Sequence, residues 1–357
     1  MESNNPLLLC LELIDRPVFC IKDSRVIAVN SAAISYDIQI GMGICEIITE
    51  NQEAYESFQN GTLFLTITAG NLPYNASVTR TEEFDIFLIE KTDEDAQLQV
   101  LSLAAQQLRI PLSNLMTVID NFLISLKQKD SETQGQIGQI NRNLFRILRI
   151  ISNMSDADHY RKKISVNKQI INFKSFFSEI IEKVQMTTDY THRKIRFKEL
   201  KSAVFGLCDR EKLSRAIYNI LSNALKFSPA DSVVEIKLTE SENVVHFSVS
   251  NTNSEPINDY SFWNHYSRKP ALEDDRYGLG LGMTLISSII CAHGGTILID
   301  HPTAYITRVS ATIPIIKSNK GTVRSPIIQI GDYAGGRDNG LLELSEILPS
   351  EIYKDIN

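Results

Sequence analysis

Asn219-Ile220-Leu221-Ser222-Asn223-Ala224-Leu225-Lys226-Phe227 is the most telling stretch of this chain. On a helix, positions 219, 223 and 226 share one face. Two carboxamide oxygens and an ammonium group placed there can meet a magnesium ion and a chain of phosphates. Magnesium is a hard ion that takes oxygen ligands and keeps several waters, so a neutral amide oxygen plus phosphates suffices.

Further along, Gly278-Leu279-Gly280-Leu281-Gly282-Met283-Thr284 opens a predicted helix over 279–292, which stops at His293-Gly294-Gly295. Glycines let backbone amides approach phosphate oxygens, and the helix that follows offers its N-terminal amides and partial positive charge. His293 reads as a helix-end residue ahead of a glycine cap, not as a catalytic group. Alternation and helical periodicity around these motifs predict strands at 168–173, 194–198, 204–207, 233–239, 244–250, 296–300 and 306–313. They also predict helices at 174–188 and 209–227, which makes an α/β layer.

Upstream, Leu98, Leu101, Ala105, Leu108, Leu112, Leu115, Ile119, Phe122 and Leu126 alternate spacings of three and four. After a predicted polar turn over 127–136, a second run follows: Ile137, Ile140, Leu144, Ile147, Ile151 and Met154. Two such seams predict an antiparallel helical hairpin. Ile110, Val118, Ile124 and Leu148 widen the apolar stripe beyond what one partner helix covers, so a four-helix bundle made by two chains is expected. Pro111 inside the first helix removes a backbone donor and predicts a kink. Before the hairpin, residues 1–92 read as a small α+β module: a helical start at 7–13, a β-hairpin through 17–21 and 26–29, and strands at 63–68, 74–78 and 84–89.

Composition narrows the field. The chain has 357 residues, 43% of them hydrophobic and 22% charged, which suits two or three folded domains. A net charge of −7 argues against nucleic acid as the main partner. No apolar run approaches the roughly 20 residues of a membrane helix, and no basic segment precedes the first apolar run, so a cytoplasmic protein without a membrane span is expected. The five cysteines are scattered without a C-x-x-C pair, which points to reduced thiols rather than a disulfide framework or a zinc site. His159, His192, His265 and His301 have no partners in sequence that suggest a metal site.

Together these motifs resemble the sensor histidine kinases of two-component systems. The 219–227 stretch matches the family's N box nearly letter for letter, and 278–284 its glycine-rich box. Phe262-Trp263-Asn264-His265-Tyr266 is similar to the F box, followed by a short lid with Arg268, Lys269 and Arg276. Asn251-Thr252-Asn253-Ser254-Glu255 stands where the family has Asp-x-Gly-x-Gly. Asn251 can still accept a hydrogen bond from the adenine amino group through its side-chain oxygen, but without charge assistance, so ATP binding is expected to be retained but weakened. If that loop needs positive φ, Asn253 suits it better than Glu255. The resemblance implies an ATP-binding domain of the Bergerat type over 164–317, with ATP and Mg2+ as ligands. The residues it points to are Asn219, Asn223, Lys226, Phe227, Asn251, Gly278, Gly280, Gly282 and Thr284, with Asn223 as the magnesium ligand.

It also implies a dimerisation hairpin over 93–163 and, by similarity at Val29-Asn30-Ser31-Ala32-Ala33, a PAS-like sensor over 1–92. The expected fold class is thus α+β multidomain, with 318–357 left as a glycine-rich linker and a short terminal helix. The first histidine of the chain is His159, so no haem held by histidine is expected in that sensor, and no flavin.

The acceptor box departs from the family. Leu103-Ala104-Ala105-Gln106-Gln107-Leu108-Arg109-Ile110-Pro111-Leu112 stands where the pattern reads Ser-His-Glu-Leu-Arg-Thr-Pro-Leu. An amide nitrogen is delocalised into its carbonyl, so Gln106 is no nucleophile. Gln107 is no base at neutral pH, and Ile110 cannot orient a water. Three readings follow: a PAS-gated pseudokinase scaffold, a kinase acting in trans on a partner's histidine, or an ATPase or serine kinase of the wider superfamily. The last needs a glutamate base where Asn219 stands. Expected partners are a second copy or a related histidine kinase, and a response regulator.

Overall fold

The computed structural model describes residues 10–14, 16–89, 131–161, 166–188, 190–256, 281–316 and 338–354, with Leu108, Leu112, Leu115, Met116, Val118 and Ile119. The chain opens with a hairpin of β1 (Val18–Lys22) and β2 (Arg25–Val29). Asp23 and Ser24 both take positive φ in its turn, matching the right-handed twist of the strands. Three short helices follow, α1 (Ser31–Ile34), α2 (Ile44–Ile47) and α3 (Gln52–Ser57). β3 (Thr62–Ala69), β4 (Leu72–Arg80) and β5 (Asp85–Ile89) complete an antiparallel sheet ordered β2-β1-β5-β4-β3. Asn30 ties this unit together. Its side-chain oxygen accepts from the backbone of Val18 and of Ala33, and its amide nitrogen faces the carbonyls of Leu11, Ile14 and Arg16. A fully buried amide with this many partners explains why no apolar residue stands here.

Where the second helix of a hairpin was expected stands α4 (Ser131–Arg161). It starts earlier than the expected turn allowed, and Gly135 lies within it. A helix tolerates a single glycine at a cost of roughly 1 kcal/mol relative to alanine, which the buried face offsets. That face carries Ile137, Leu144, Phe145, Leu148 and Ile151, while Ile140 and Ile147 of the same heptad run stay exposed. Of the first hairpin helix, Leu112 and Met116 are buried, whereas Leu108, Leu115 and Val118 face outward. Gln106, Gln107, Ile110 and the kink at Pro111 lie outside the described residues.

The remaining elements are β6 (Gln169–Asn172), α5 (Phe173–Thr188), β7 (Lys194–Lys198), β8 (Phe205–Cys208), α6 (Arg210–Phe227), β9 (Val233–Glu240) and β10 (Val244–Thr252). Then come α7 (Leu281–Ala292), β11 (Ile297–Thr303) and β12 (Ile306–Pro314). Strands run in the order β11-β12-β10-β9-β7, with only the β7–β9 pair parallel, and β6 pairs β8 separately. Along β10, Val245, Phe247 and Val249 point into the core and His246 outward, the period-two pattern of a half-buried strand. The phenylalanines of α5 (Phe173, Phe176, Phe177) meet Phe247 and the inner faces of α6 and α7 in one apolar cluster.

The terminal segment differs from the single helix expected over 341–353. It forms a short α8 (Asn339–Glu343), turns, and then a 3-10 turn (Ser350–Tyr353). Pro349 lies between them; proline has no N–H to donate and disfavours helical backbone at the residue before it.

β3 also pairs antiparallel with β11, at Phe64–Ile297, Leu63–Leu298 and Thr62–Ile299, so ten strands form one continuous sheet. Gly61 permits the junction: its φ is +95°, and a Cβ there would collide with the Ile299 carbonyl oxygen. Gly61→Ala should therefore lower stability by about 1–3 kcal/mol. Urea denaturation of the two proteins checks this, and an unchanged midpoint would mean that the junction carries no strain on substitution.

Candidate nucleotide-binding site

α6 is held at its start by two devices. Asp209 caps it, its carboxylate accepting from the backbone N–H of Lys212 at 3.1 Å and of Asn167 at 3.0 Å. The backbone N–H of Asp209 in turn donates to His293 Nε2 at 2.9 Å, while His293 Nδ1 lies 2.7 Å from the Ile289 carbonyl. An imidazole that accepts through Nε2 and donates through Nδ1 must be neutral. His293 thus couples the end of α7 to the start of α6, and Gly294 at φ +78° turns the chain away beyond it. This is a positioning role for the His-Gly-Gly signature.

Asn219, Asn223 and Lys226 lie along α6, and Gly282 of α7 faces Asn219, whose Oδ1 would stand 3.9 Å from a Cβ at that glycine. Two of the motif stretches therefore meet. Asn223 is half-buried and has no side-chain hydrogen bond among the described residues. Phe227 is half-buried at the helix end. Asn251 is buried at the end of β10; its amide nitrogen reaches the Thr252 carbonyl and Asn253 Oδ1. Neither Asn253 nor Glu255 takes positive φ, so the condition under which the two would differ does not arise. Asn253 instead donates to Tyr305 and Thr307 and closes the loop onto β12. Gly278, Gly280, the F box, the lid and the side chain of Thr284 lie outside the described residues.

Asn219 is 1% exposed and fully engaged. Its amide nitrogen donates to the Arg215 carbonyl and, at 3.0 Å, to Glu343 Oε2; its oxygen accepts from Arg149 at 3.2 Å. Glu343 comes from α8 and is 0% exposed. Arg149 of α4 contacts its Oε2 at 3.1 Å, and Arg215 of α6 its Oε1 at 3.3 Å. Beside it, Glu346 bridges Arg149 at 3.0 Å and Lys226 at 2.6 Å. Burial opposes ionisation of Glu346, but Arg149 and Lys226 outweigh that and hold its carboxyl below the ordinary range. Glu343 and Glu346 thus occupy side-chain hydrogen-bonding groups of Asn219 and Lys226. Arg149, Arg215, Glu343 and Glu346 had no part in the motif reading. Their one signal was a charge set inside an apolar run, as in Ile147-Leu148-Arg149-Ile150-Ile151 and Leu341-Leu342-Glu343-Leu344.

Burial pushes the His293 imidazole below its ordinary value of 6.5. The unfolded chain then binds a proton that the folded one refuses. This contribution to stability is full above about pH 6.5 and declines as the pH falls below it. His293→Ala should cost about 1–3 kcal/mol at neutral pH, through the orphaned Asp209 N–H. Its stability should also vary less between about pH 7.5 and about pH 5.5 than that of the parent. Urea denaturation at both pH values checks both effects.

Among the described residues no group of His, Cys, Asp and Glu could hold a metal ion, and no helix is long and apolar enough to cross a membrane. The five cysteines are free thiols.

A family profile described as histidine kinase-, DNA gyrase B-, and HSP90-like ATPase matches residues 208–317. Over 58% of its length the chain is 26% identical to the sensor protein KdpD of Clostridium acetobutylicum, covering 24% of that protein. Over 68% of its length it is 24% identical to the adaptive-response sensory kinase SasA of Gloeothece citriformis, covering 65% of that protein. The chain therefore spans less than two thirds of each of these relatives. Among solved structures it is similar to full-length ShkA in complex with AMPPNP, with a TM-score of 0.48 and 17% identity over 62% of this chain and 46% of that one. Residues 208–317 thus match a histidine kinase-like ATPase domain, in a chain that is similar to sensor kinases.

Proposed function

We propose that this protein is a cytoplasmic two-component signalling pseudokinase, one that works through conformation and partner binding rather than by phosphorylating itself. The observation that carries this is Gln106 at the acceptor position, with no histidine before His159. Without a nucleophilic nitrogen on the first hairpin helix, no change of register supplies one. Residues 1–92 serve as a PAS-like sensor, the hairpin over 93–163 as the dimerisation element, and 164–317 as the ATP-binding unit. ATP with Mg2+ acts as an allosteric ligand of Asn219, Asn223, Lys226, Asn251 and the glycine-rich turn. The juxtaposition of Asn219 and Gly282 supports that assignment. A response regulator or an active histidine kinase is the partner to which the signal passes.

A second reading rests on Asn223, whose side chain has no hydrogen bond among the described residues: the ATP-binding unit phosphorylates the histidine of a heterodimeric partner. Labelled ATP separates the two. Alone, the chain should acquire no label; label on an added partner kinase's histidine that disappears with Asn223→Ala would replace the scaffold reading.

Dimerisation has its own support in the structure. Leu108, Leu115 and Val118 on the first hairpin helix and Ile140, Ile147 and Ile150 on α4 are 44–63% exposed, too many large apolar side chains for a helix pair meant for water. Size-exclusion chromatography with light scattering at micromolar concentration should give a dimer, and Ile140→Glu with Ile147→Glu should give a monomer. A parent protein that is already monomeric would remove this part of the proposal.

A further inference from the structure

The terminal segment 338–354 sits on the face of α6 that carries the phosphate-side residues, and it is built into that place. Tyr353, Leu342, Leu344 and Leu348 are all buried, Tyr353 against Phe145 with ring centroids 5.2 Å apart. Asn141 donates to the Tyr353 carbonyl at 3.0 Å, and Arg142 reaches the carbonyls of Ser345 and Glu346. Gly138 of α4 leaves the space that the 3-10 turn fills, since a Cβ there would collide with the Ser350 carbonyl. On this apolar base the segment presents two carboxylates, Glu343 to Arg149, Arg215 and Asn219, and Glu346 to Arg149 and Lys226. Among the described residues, three cations meet these two anions.

Chemically this is an anion site. It offers two guanidinium groups, an ammonium and an amide, the donors that suit phosphoryl oxygens as well as carboxylates. We propose that residues 338–354 are an intrachain ligand of the phosphate side of the nucleotide site, and that a nucleoside triphosphate with Mg2+ binds only in exchange for them. The proposal rests on the nucleotide-site reading of α6 given above. Exchange has a geometric consequence, because Arg149 belongs to the hairpin helix α4. Withdrawal of Glu343 and Glu346 removes the carboxylates that bridge α4 to α6, so nucleotide and the α4–α6 contact are coupled through the segment.

The test uses the full chain, with AMPPNP and Mg2+ as the probe, calorimetry for affinity and amide hydrogen exchange to follow the segment. Two variants uncover the site by different routes. Glu343→Gln with Glu346→Gln removes the carboxylates. Gly138→Leu blocks the docking of the 3-10 turn from outside the nucleotide residues. Protection of the β9, β10 and β12 amides verifies folding in each.

Both variants should bind AMPPNP at least about tenfold more tightly than the parent, a difference of about 1.4 kcal/mol. In the parent, saturating AMPPNP should strip protection from the amides of 341–353. Equal affinities, with 341–353 still protected when nucleotide is bound, would overturn the exchange and leave the nucleotide site standing. No binding by either variant, with 341–353 shown by exchange to be released, would overturn both.

Discussion

A carboxylate sealed from water must be answered by positive charge, or it loses its proton only at great cost. Glu343 is such a group, and the arrangement around it follows from that requirement. Arg149 must approach from α4 and Arg215 from α6, and both do so almost wholly out of solvent. Because the three charges come from segments far apart in the chain, the demand of one carboxylate fixes how three elements stand. The buried leucines of the segment supply the free energy of association; the charges supply its register. An apolar strip alone can slide by a turn, whereas a guanidinium pair cannot follow it without leaving a charge unpaired.

The site divides into two halves with different chemistry. On the phosphate side, donors are plentiful and positively charged, and they converge on one helix face. On the adenine side, Asn251 stands in a loop that Asn253 ties to β12 through side-chain and backbone hydrogen bonds. Among its described residues, neither Asn253 nor Glu255 takes the left-handed geometry that glycine would supply. The acceptor stretch carries Gln106, Gln107 and Ile110, and in sequence it lies apart from both halves.

How much of this could be read from the residues depends on the range of the interaction. Strands such as β10 were legible because a strand with one buried face must alternate, and Val245, Phe247 and Val249 do. The glycine stop after His293 was legible for the same reason: it is decided within a few residues. The hairpin was legible as a pattern but not in its detail. The heptad rule marks Ile140 and Ile147 as seam residues, yet within one chain they face outward, while Met116 outside that seam is buried. The Arg149–Glu343 pair spans 194 positions, and a single charge in an apolar run has no period to betray its partner. The short terminal helix expected within 318–357 had nothing local to say where it would lie.

The pairing of β3 with β11 has a consequence of a different kind. The link between the N-terminal sheet and the ATPase sheet is made of backbone hydrogen bonds, which every residue except proline can supply. Surfaces on either side of it can drift in sequence without weakening it, so long as Gly61 keeps its room. β11 is also the strand that follows His293-Gly294-Gly295, a few residues past the end of α7. The N-terminal sheet is thus joined in the main chain, through β3, β11 and the turn before it, to the helix that carries Gly282.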